Sequence, residues 1–434
     1  KSERPDPWPT SRPSGRFSAL HLPPGTYVSR SPSHVPFQVE EPQTRESALN
    51  SADVSILNPV SRTRSPGCVT VRELATGEVD SDFIARWARL ESESLEGNAF
   101  LSPGFVLAAA EHLSGTSRPF LVAIENESTG ELIGLGVFEQ SRGSRLLPLT
   151  HLQAWQCEHS FTQGLLLRSN VADDAVDALF AWLLNNGHRW HGVSFSDRTA
   201  ESKLDAVLGE AANRAGLKWR EDWRTQRAGI SVTEVPDDCL TALFSKSRRK
   251  SLRRDQRKLE SHGVVDFHIH TDDPDGRLLD EFFRLESCGW KGDDETSLAS
   301  TPASASFCRA WVDSLFESGR VAISELTVGG RAVAMSLNPI SSETLFAFKI
   351  GWDTNFADCS PGTLCELFLM QSVRQQLPDV RFVDSCAEPG SYVEKVWPWT
   401  FPLTSGVFPT TRLGSLAVDS MLRIKQVKRL LRGG

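Results

Sequence analysis

An order of elements that occurs twice along the chain constrains its fold more than any other feature of the sequence. In the first copy we predict a β-hairpin, a strand, a helix and a strand at Phe120–Ile124 with Leu132–Phe138, Gly164–Arg168, Ala172–Leu184 and Val193–Ser196. The second copy lies roughly two hundred residues further on, a separation typical of a repeated domain. Its elements are predicted at Val321–Leu326 with Arg331–Leu337, Leu345–Ile350, Leu364–Leu377 and Val380–Asp384. The repeat therefore predicts a duplicated α/β unit.

A strongly basic stretch, Cys239–Gly263, separates the two copies. Its cations are Lys246, Arg248, Arg249, Lys250, Arg253, Arg254, Arg257 and Lys258. Leu240, Leu243, Phe244, Leu252 and Leu259 recur at spacings that place them on one side of a helix, so the charges occupy the other faces. We interpret this stretch as an amphipathic helix at the joint between two domains.

The length of 434 residues exceeds what one core usually holds and fits two to three domains. Residues 1–67 are rich in Pro, Ser and Arg, and we expect a disordered leader there. We divide the rest into an N-terminal domain at 68–236, a C-terminal domain at 237–412 that begins with the basic helix, and a basic amphipathic helix at 413–434. That last helix has two open interpretations, contact with a membrane surface or docking on the second domain.

Composition argues against several functional classes. The net charge of -8 disfavours a dedicated nucleic-acid binder, with the basic helix as a local exception. The eight cysteines show no C-x-x-C pair or regular spacing, so neither a disulfide framework nor a zinc site is indicated. His268 and His270 share a strand face, but no third ligand has suitable spacing, and we expect no metal. Without an apolar run of ~18 residues or a secretory signal, we expect a cytoplasmic protein with no membrane span.

A strand–turn–helix junction directs backbone N–H groups and the positive end of a helix dipole at one point, which suits a phosphate. In the first copy this turn is Arg168–Asp174, which lacks glycine and carries Asp173 and Asp174. In the second copy Ser360, Pro361, Gly362 and Thr363 supply hydroxyls and a glycine before the helix. We therefore expect any phosphate-bearing cofactor to bind the second copy, although the same four residues also suit an ordinary helix start.

The order of elements resembles the GNAT acyltransferase core, and the tandem arrangement resembles the CelD/BcsL-type branch, which is related to the FemAB/FemX aminoacyltransferases. The resemblance covers roughly Val69 to Arg412. Its specific motifs are the segments Arg248–Arg254, Leu285–Gly292, Ser360–Gly362 and Asp384 through Tyr392, Lys395 and Trp397. The usual GNAT loop Q/R-x-x-G-x-G/A is absent, so the mode of cofactor binding differs from the common one.

The resemblance implies a tandem GNAT-like α/β fold with mixed, largely antiparallel sheets. It also implies transfer of an acyl group, acetyl in the first instance, from acetyl-CoA to an amine or hydroxyl of a small-molecule or glycan acceptor in polysaccharide or cell-envelope metabolism. A fixed cation near the developing oxyanion provides a large part of the rate in such chemistry. Lys395 lies where FemX-like enzymes carry a lysine of this kind.

Three other motif residues, Asp384, Glu286 and Trp290, each have two interpretations. Asp384 could orient Lys395 or act as a base, or it could cap a turn. Glu286 could face the cleft or lie on the surface, and Trp290 could stack on a substrate or fill the core. Lys291, Arg249 and Tyr392 are the remaining candidate substrate contacts.

Two alternative functions remain. The basic helix would suit a FemAB-like aminoacyl-tRNA-dependent transferase, although stacking aromatics are not interleaved with its cations. Its cations could otherwise be solvated or contact a CoA phosphate. The second alternative is a non-catalytic member that binds a glycan or a synthase partner. The sequence does not determine the oligomeric state.

Overall fold

The computed structural model describes residues 69–113, 118–141, 143, 149–273, 275–288 and 297–432. These residues belong to one compact unit, Thr63–Gly434. The leader predicted at residues 1–67 lies outside the described residues. No helix among the described residues is long and apolar enough to cross a bilayer.

The first half of the described chain runs from β1 to β7. Its elements are β1 Val69–Ala75, α1 Ser81–Ser92, α2 Pro103–His112, β2 Phe120–Asn126, β3 Glu131–Ser141, β4 His151–Ala154, β5 Leu166–Leu167, α3 Ala172–Asn185, β6 Gly192–Thr199, α4 Lys203–Arg214 and β7 Arg220–Ser231. The predicted strand at Gly164–Arg168 is shorter than expected, because only Leu166 and Leu167 pair with β3.

The second half begins at the basic stretch. Its elements are α5 Cys239–Leu243, α6 Lys246–Glu260, β8 Val265–His270, α7 Arg277–Glu286, α8 Pro302–Glu317, β9 Val321–Val328, β10 Arg331–Ser341, β11 Thr344–Phe346, β12 Lys349–Trp352, α9 Pro361–Gln376, β13 Phe382–Asp384, β14 Trp399–Pro409 and α10 Arg412–Arg432. The basic stretch is two helices rather than one, because the Ser245 side chain accepts the Arg248 N–H and starts a new helix.

The duplication predicted from the sequence is present in the pairing of the strands. β1, β2 and β3 form an antiparallel meander, and β8, β9 and β10 form another. β4 then pairs parallel with β6, as β11 does with β13. Among the described residues, each half also places two helices between its first and second strands.

The last strand of each half is exchanged with the other half. β7, from the first half, pairs with β13, while β14, from the second half, pairs with β6. β7 and β14 also pair with each other from Trp399↔Gly229 to Val407↔Arg220. The result is one 14-stranded sheet in the order β1-β2-β3-β4-β6-β14-β7-β13-β11-β10-β9-β8, with β5 on β3 and β12 on β10. The strand exchange brings side chains of the first half into the centre of the second.

Helices α2 and α8 pack together, and rings from both halves meet between them. Phe105 lies edge-on to Trp311, with ring centroids 4.8 Å apart. A buried ion pair joins the halves on the same side: Glu91 of α1 bonds the Arg320 guanidinium at 2.7 Å and accepts the Ser341 hydroxyl at 2.8 Å. Burial raises the pKa of Glu91, and Arg320 opposes that rise. The two halves therefore share both an apolar core and a polar contact.

Candidate active site

The strands of the second half separate beside the start of α9. The parallel ladder between β11 and β13 runs from Thr344↔Phe382 to Phe346↔Asp384. The strand predicted at Leu345–Ile350 is in fact two strands, β11 and β12, which both pair with β10, and among the described residues only β11 also pairs with β13. This divergence leaves Asp384 and the following Ser385–Ala387 turn at the end of the paired region.

The predicted cofactor turn is the N-terminus of α9. Ser360 has a left-handed backbone (φ 52°), and Pro361 occupies the first turn of the helix. A Cβ at Gly362 would lie 3.2 Å from Cδ1 of Trp352, so the glycine allows the helix to pack against that indole. Thr363 follows within the first turn, whose N–H groups lack partners inside the helix.

Asp384 is buried and forms an ion pair across the exchanged strands. Its Oδ2 lies 3.4 Å from Nη1 of Arg227 on β7, and its Oδ1 accepts the Cys386 N–H at 2.8 Å. Burial raises the pKa of Asp384, while Arg227 lowers it. No contact between Asp384 and Lys395 occurs among the residues described, so the partner of this carboxylate is Arg227 rather than the lysine suggested by the sequence.

A second buried carboxyl, Glu366 on α9, lies close to the same turn. Burial alone raises its pKa to about 8, and its Oε2 has no hydrogen-bond partner. Tyr392 is 42% exposed overall, but burial of its phenol and then the nearby Glu366 raise its pKa. Burial and Asp384 raise the pKa of Cys386, and Glu366 adds to that effect. At neutral pH Glu366 is therefore a neutral acid.

Two lysines lie on segments next to this region. Lys395 ends a 3-10 turn, Tyr392–Lys395; it is exposed, and its carbonyl accepts the Arg248 Nε–H at 3.2 Å. Lys349 starts β12, where its ammonium lies 5.7 Å from the ring centroid of Phe161 and 5.8 Å from that of Phe348. It lowers the pKa of Cys386 and so lies near the turn after Asp384.

Glu286 is buried, so the surface position considered for it is wrong. It ends α7, is 1% exposed, and its Oε2 accepts the Leu298 N–H at 2.8 Å. This bond holds the Leu298 backbone against the end of the helix. Trp290 and Lys291 lie outside the described residues.

The amphipathic character predicted for the basic stretch is present in α6. Leu252, Asp255 and Leu259 are buried, and Lys250, Arg253, Arg254, Arg257 and Lys258 are exposed. Arg249 is half-buried and bonds the Thr241 carbonyl at 3.3 Å. Lys258 lies 3.3 Å from Asp358, two residues before Ser360. The cationic face of α6 is therefore held beside both Lys395 and the start of α9.

A cavity of about 430 Å³ lies between the halves. One side is formed by residues 95–98, 162–165 and 198–204 of the first half, and the other by residues 342–344, 381–382 and 401–402 together with Phe346 and Asp384. Asp384 therefore lies both at the end of the diverging strands and on the cavity wall. Of the candidate residues named from the sequence, Asp384 is the one on this wall.

No group of three or more His, Cys, Asp or Glu side chains suitable for a metal occurs in the part of the chain that the structure describes. His270 instead lies 2.9 Å from Glu325 on the neighbouring strand. The described cysteines, which exclude Cys68, are all free.

Sequence reasoning missed Glu366, Lys349 and Arg227. Glu366 lies within Leu364–Met370, a stretch whose other six residues are apolar, and this pattern could have predicted a buried carboxyl. Arg227 and Lys349 lie within strands, and only the strand exchange and the kink between β11 and β12 give them their surroundings.

The second half matches a known family. Residues 246–392 match the family model described as Acetyltransferase (GNAT) domain. This match and the strand topology confirm the predicted GNAT-like fold and, for this domain, the acyltransferase class. The match ends before Lys395 and does not distinguish the CelD/BcsL-type branch. No curated protein sequence matches the chain.

Several solved structures are similar over most of the described chain. The crystal structure of FemX is 13% identical and covers 77% of this chain and 97% of its own, with a TM-score of 0.48. L-PGS from Bacillus licheniformis is 14% identical and covers 81% of this chain and 97% of its own, with a TM-score of 0.45. A tandem GNAT protein from the clavulanic acid biosynthesis pathway is 12% identical and covers 78% and 97%, with a TM-score of 0.38.

Proposed function

We propose that the second half transfers an acyl group, acetyl in the first instance, from acyl-CoA to an amine or hydroxyl of a small-molecule or polysaccharide-related acceptor. The observation that carries the proposal is the match of residues 246–392 to the GNAT acetyltransferase domain. That range contains both the diverging strands after Phe346 and Asp384 and the start of α9. The CelD/BcsL-type assignment and a role in polysaccharide biosynthesis belong to the same proposal.

The α9 N-terminus and α6 are the proposed contacts for the phosphates of CoA. Ser360, Pro361, Gly362 and Thr363 start a helix whose dipole attracts negative charge. The exposed cations of α6 lie beside it through the Lys258–Asp358 contact. Because Trp352 packs on Gly362, it covers the side of the first turn of α9. A ligand would therefore approach the free N–H groups along the helix axis, from the N-terminal end.

In the proposed reaction the acceptor attacks the thioester carbonyl, the carbonyl oxygen gains negative charge, and the intermediate expels the CoA thiolate. Lys395 is the proposed cation for that oxygen. Asp384 is the proposed base for the acceptor proton; burial raises its pKa, and the neighbouring Arg227 opposes that rise. Tyr392, Arg249, Trp290 and Lys291 are proposed substrate contacts, and Glu286 supports the segment that follows α7.

Acetyl-CoA is expected to raise the melting temperature of the protein, because a ligand that binds only the folded state stabilises it. Dephospho-CoA, which lacks the 3′-phosphate, should bind more weakly if α6 contacts that group. Thermal shift and titration calorimetry with acetyl-CoA, CoA and dephospho-CoA measure both effects. An unchanged melting temperature at millimolar acetyl-CoA would contradict the proposal.

Replacing Lys395 by Met should lower turnover by ~10²-fold or more without altering the fold, because the side chain is exposed and stabilises only the transition state. Turnover is measured as CoA thiol release in the presence of a panel of amines and amino sugars. Lys218→Met, at an exposed lysine just before β7, is the matched control and should keep full turnover. Equal rates in the two variants would remove Lys395 from the mechanism.

The exposed cations of α6 favour one second candidate, an aminoacyl-tRNA-dependent transfer. Filter binding with tRNA should then show retention that falls steeply between low and high salt, because neutralised phosphates release counterions. Acetyl-CoA protection without tRNA retention supports the first candidate, and the reverse supports the second. If the protein shows neither acetyl-CoA protection nor tRNA retention, the result favours a non-catalytic protein that binds a glycan or a synthase.

A further inference from the structure

Helix α10 packs against the sheet with one of its faces. Gly414, Val418 and Met421 are buried on that face, and the last two pack with Val407 of β14. A Cβ at Gly414 would overlap the His191 carbonyl oxygen, so the start of the helix lies directly against the chain before β6. The helix is therefore docked on the folded protein along its buried face.

Two ion pairs with β7 fix the rotation of α10 about its axis. The Asp419 carboxylate lies 2.8 Å from Nε of Arg220, and the Lys425 ammonium contacts the Asp222 carboxylate. Rotating the helix would break both contacts. The face of α10 that lies opposite the buried one is therefore held toward solvent.

That opposite face carries a row of exposed apolar side chains. Leu413, Leu416, Ile424 and Val427 are 61%, 66%, 43% and 54% exposed. Helical spacing places these four residues and Ser420 on one face of α10, in a row about 21 Å long. They are half of the eight large apolar side chains that are exposed among the described residues. Such a concentration is typical of an interaction surface.

Cations border this apolar row on both sides. By helical spacing Arg412 and Arg423 lie along one side of it and Lys428 along the other. All three side chains are exposed, and within the described part of the chain they form no ion pair. Residues 412–432 contain six Lys or Arg and one Asp, whereas the whole chain has a net charge of -8. Positive charge is therefore concentrated around the apolar row of an otherwise acidic protein.

The charge around the row argues against two possible occupants from this chain itself. A second copy would use the same face, since a two-fold contact is self-complementary, and it would bring like charges together. Residues 1–67 contain eight Lys or Arg against six Asp or Glu, so this segment would also bring net positive charge. A negatively charged partner is instead favoured.

The side chains of the row favour a lipid surface over an acidic protein. Protein interfaces depend on a few Trp, Tyr and Arg anchors that fill pockets, and residues 412–432 contain no Phe, Tyr or Trp. A straight row of aliphatic side chains bordered by cations is typical of a helix that lies in the interface of a bilayer. Its apolar side enters the acyl boundary, and its Lys and Arg side chains remain at the level of the headgroups.

We propose that α10 attaches the folded protein to an anionic lipid surface. The helix lies parallel to that surface, with the apolar row immersed and with Arg412, Arg423 and Lys428 against the headgroup phosphates. This attachment does not depend on acyl transfer, so the two proposals can fail separately.

Co-sedimentation of the full chain with lipid vesicles tests the attachment. The protein should bind vesicles of phosphatidylcholine and phosphatidylglycerol at least ~10-fold more tightly than vesicles of phosphatidylcholine alone, because each cation near an anionic surface adds to binding. Added salt should weaken that binding, since it screens exposed charges. The double variant Arg423→Gln with Lys428→Gln should lose ~10-fold or more of its affinity for the mixed vesicles and none of its affinity for the neutral ones.

The double variant Leu416→Ser with Ile424→Ser should bind the mixed vesicles at least ~10-fold more weakly, because two apolar side chains no longer leave water on insertion. Val264→Ser, at a position that is 71% exposed beside α6, is the matched control and should bind as the unmodified protein does. Urea unfolding should show that all three variants keep the stability of the unmodified protein, since each replaces only exposed side chains.

Four results would overturn the proposal. They are absence of vesicle binding, equal binding to neutral and mixed vesicles, undiminished binding by a folded Leu416→Ser with Ile424→Ser, and a dimer in light scattering that this variant dissociates. Undiminished binding would assign the vesicle contact to the cations of α6, and the dimer would make a second copy the occupant. Because acetyl-CoA is absent throughout, none of these results bears on whether acetyl-CoA binds.

Discussion

Replacing Glu366 by Gln is expected to stabilise the protein at pH 8 and to change its stability little at pH 5. The side chain is 3% exposed on α9, and burial raises its pKa to about 8. A glutamine has nearly the shape of the neutral acid and carries no charge at any pH. The variant therefore removes the cost of ionising a carboxyl inside the protein.

The direction of the pH dependence follows from the number of protons bound in each state. Between the ordinary pKa of 4.5 and the native value of about 8, the folded protein holds the Glu366 proton and the unfolded chain has lost it. Stability from this group is therefore complete below pH 4.5 and decreases as the pH rises toward 8. The loss is about 1.4 kcal/mol per pH unit over that interval, on the order of 5 kcal/mol in total.

Urea unfolding of the unmodified protein and of Glu366→Gln at pH 5, 6, 7 and 8 measures this difference. The gap between the two free energies of unfolding should widen with each step. Glu317→Gln, at an exposed position that ends α8, is the matched control and should differ from the unmodified protein by a constant amount. A gap for Glu366→Gln that stays flat from pH 5 to pH 8 would show that the carboxyl is ionised in the folded protein.

The sequence predicted the elements whose signals are local. The helix predicted at Ala172–Leu184 is α3, Ala172–Asn185, because its buried residues recur at helical spacing and Asp173 and Asp174 favour its first turn. The hairpin predicted at Val321–Leu326 with Arg331–Leu337 is β9–β10, and the two glycines between these strands, Gly329 and Gly330, both adopt the positive φ that such a tight turn requires. These signals lie within a few residues of the elements they define.

The strands that join the halves could not be predicted in the same way. β7 starts with polar, largely exposed residues such as Glu221 and Arg224, and β14 contains Pro402, so neither has a clear strand pattern. Their exchange depends on pairing between distant segments, which no local pattern encodes. The cavity and the pairing of Asp384 with Arg227 depend on that exchange, so no local pattern in the sequence predicts them.

The ion pair formed by Arg227 and Asp384 joins the exchanged strands, so we expect changes at either residue to lower the free energy of unfolding. Both side chains are almost fully buried, and one lies on β7 of the first half while the other lies on β13 of the second. Arg227→Met leaves a buried carboxylate without its counter-charge, and Asp384→Leu leaves a buried guanidinium. Each single variant should lower the free energy of unfolding by about 3–5 kcal/mol.

The double variant Arg227→Met with Asp384→Leu should cost less than the sum of the two single variants, because it removes both buried charges together. Its cost could approach zero, since the Nη1–Oδ2 contact is long at 3.4 Å and Nε of Arg227 has no partner. Arg224→Met, on the same strand but in an exposed ion pair with Glu201, is the matched control and should change stability little. Urea unfolding of the four variants gives the coupling free energy directly. Strictly additive costs, or a cost for Arg227→Met no larger than for Arg224→Met, would mean that the exchanged strands are held by backbone pairing and apolar packing alone.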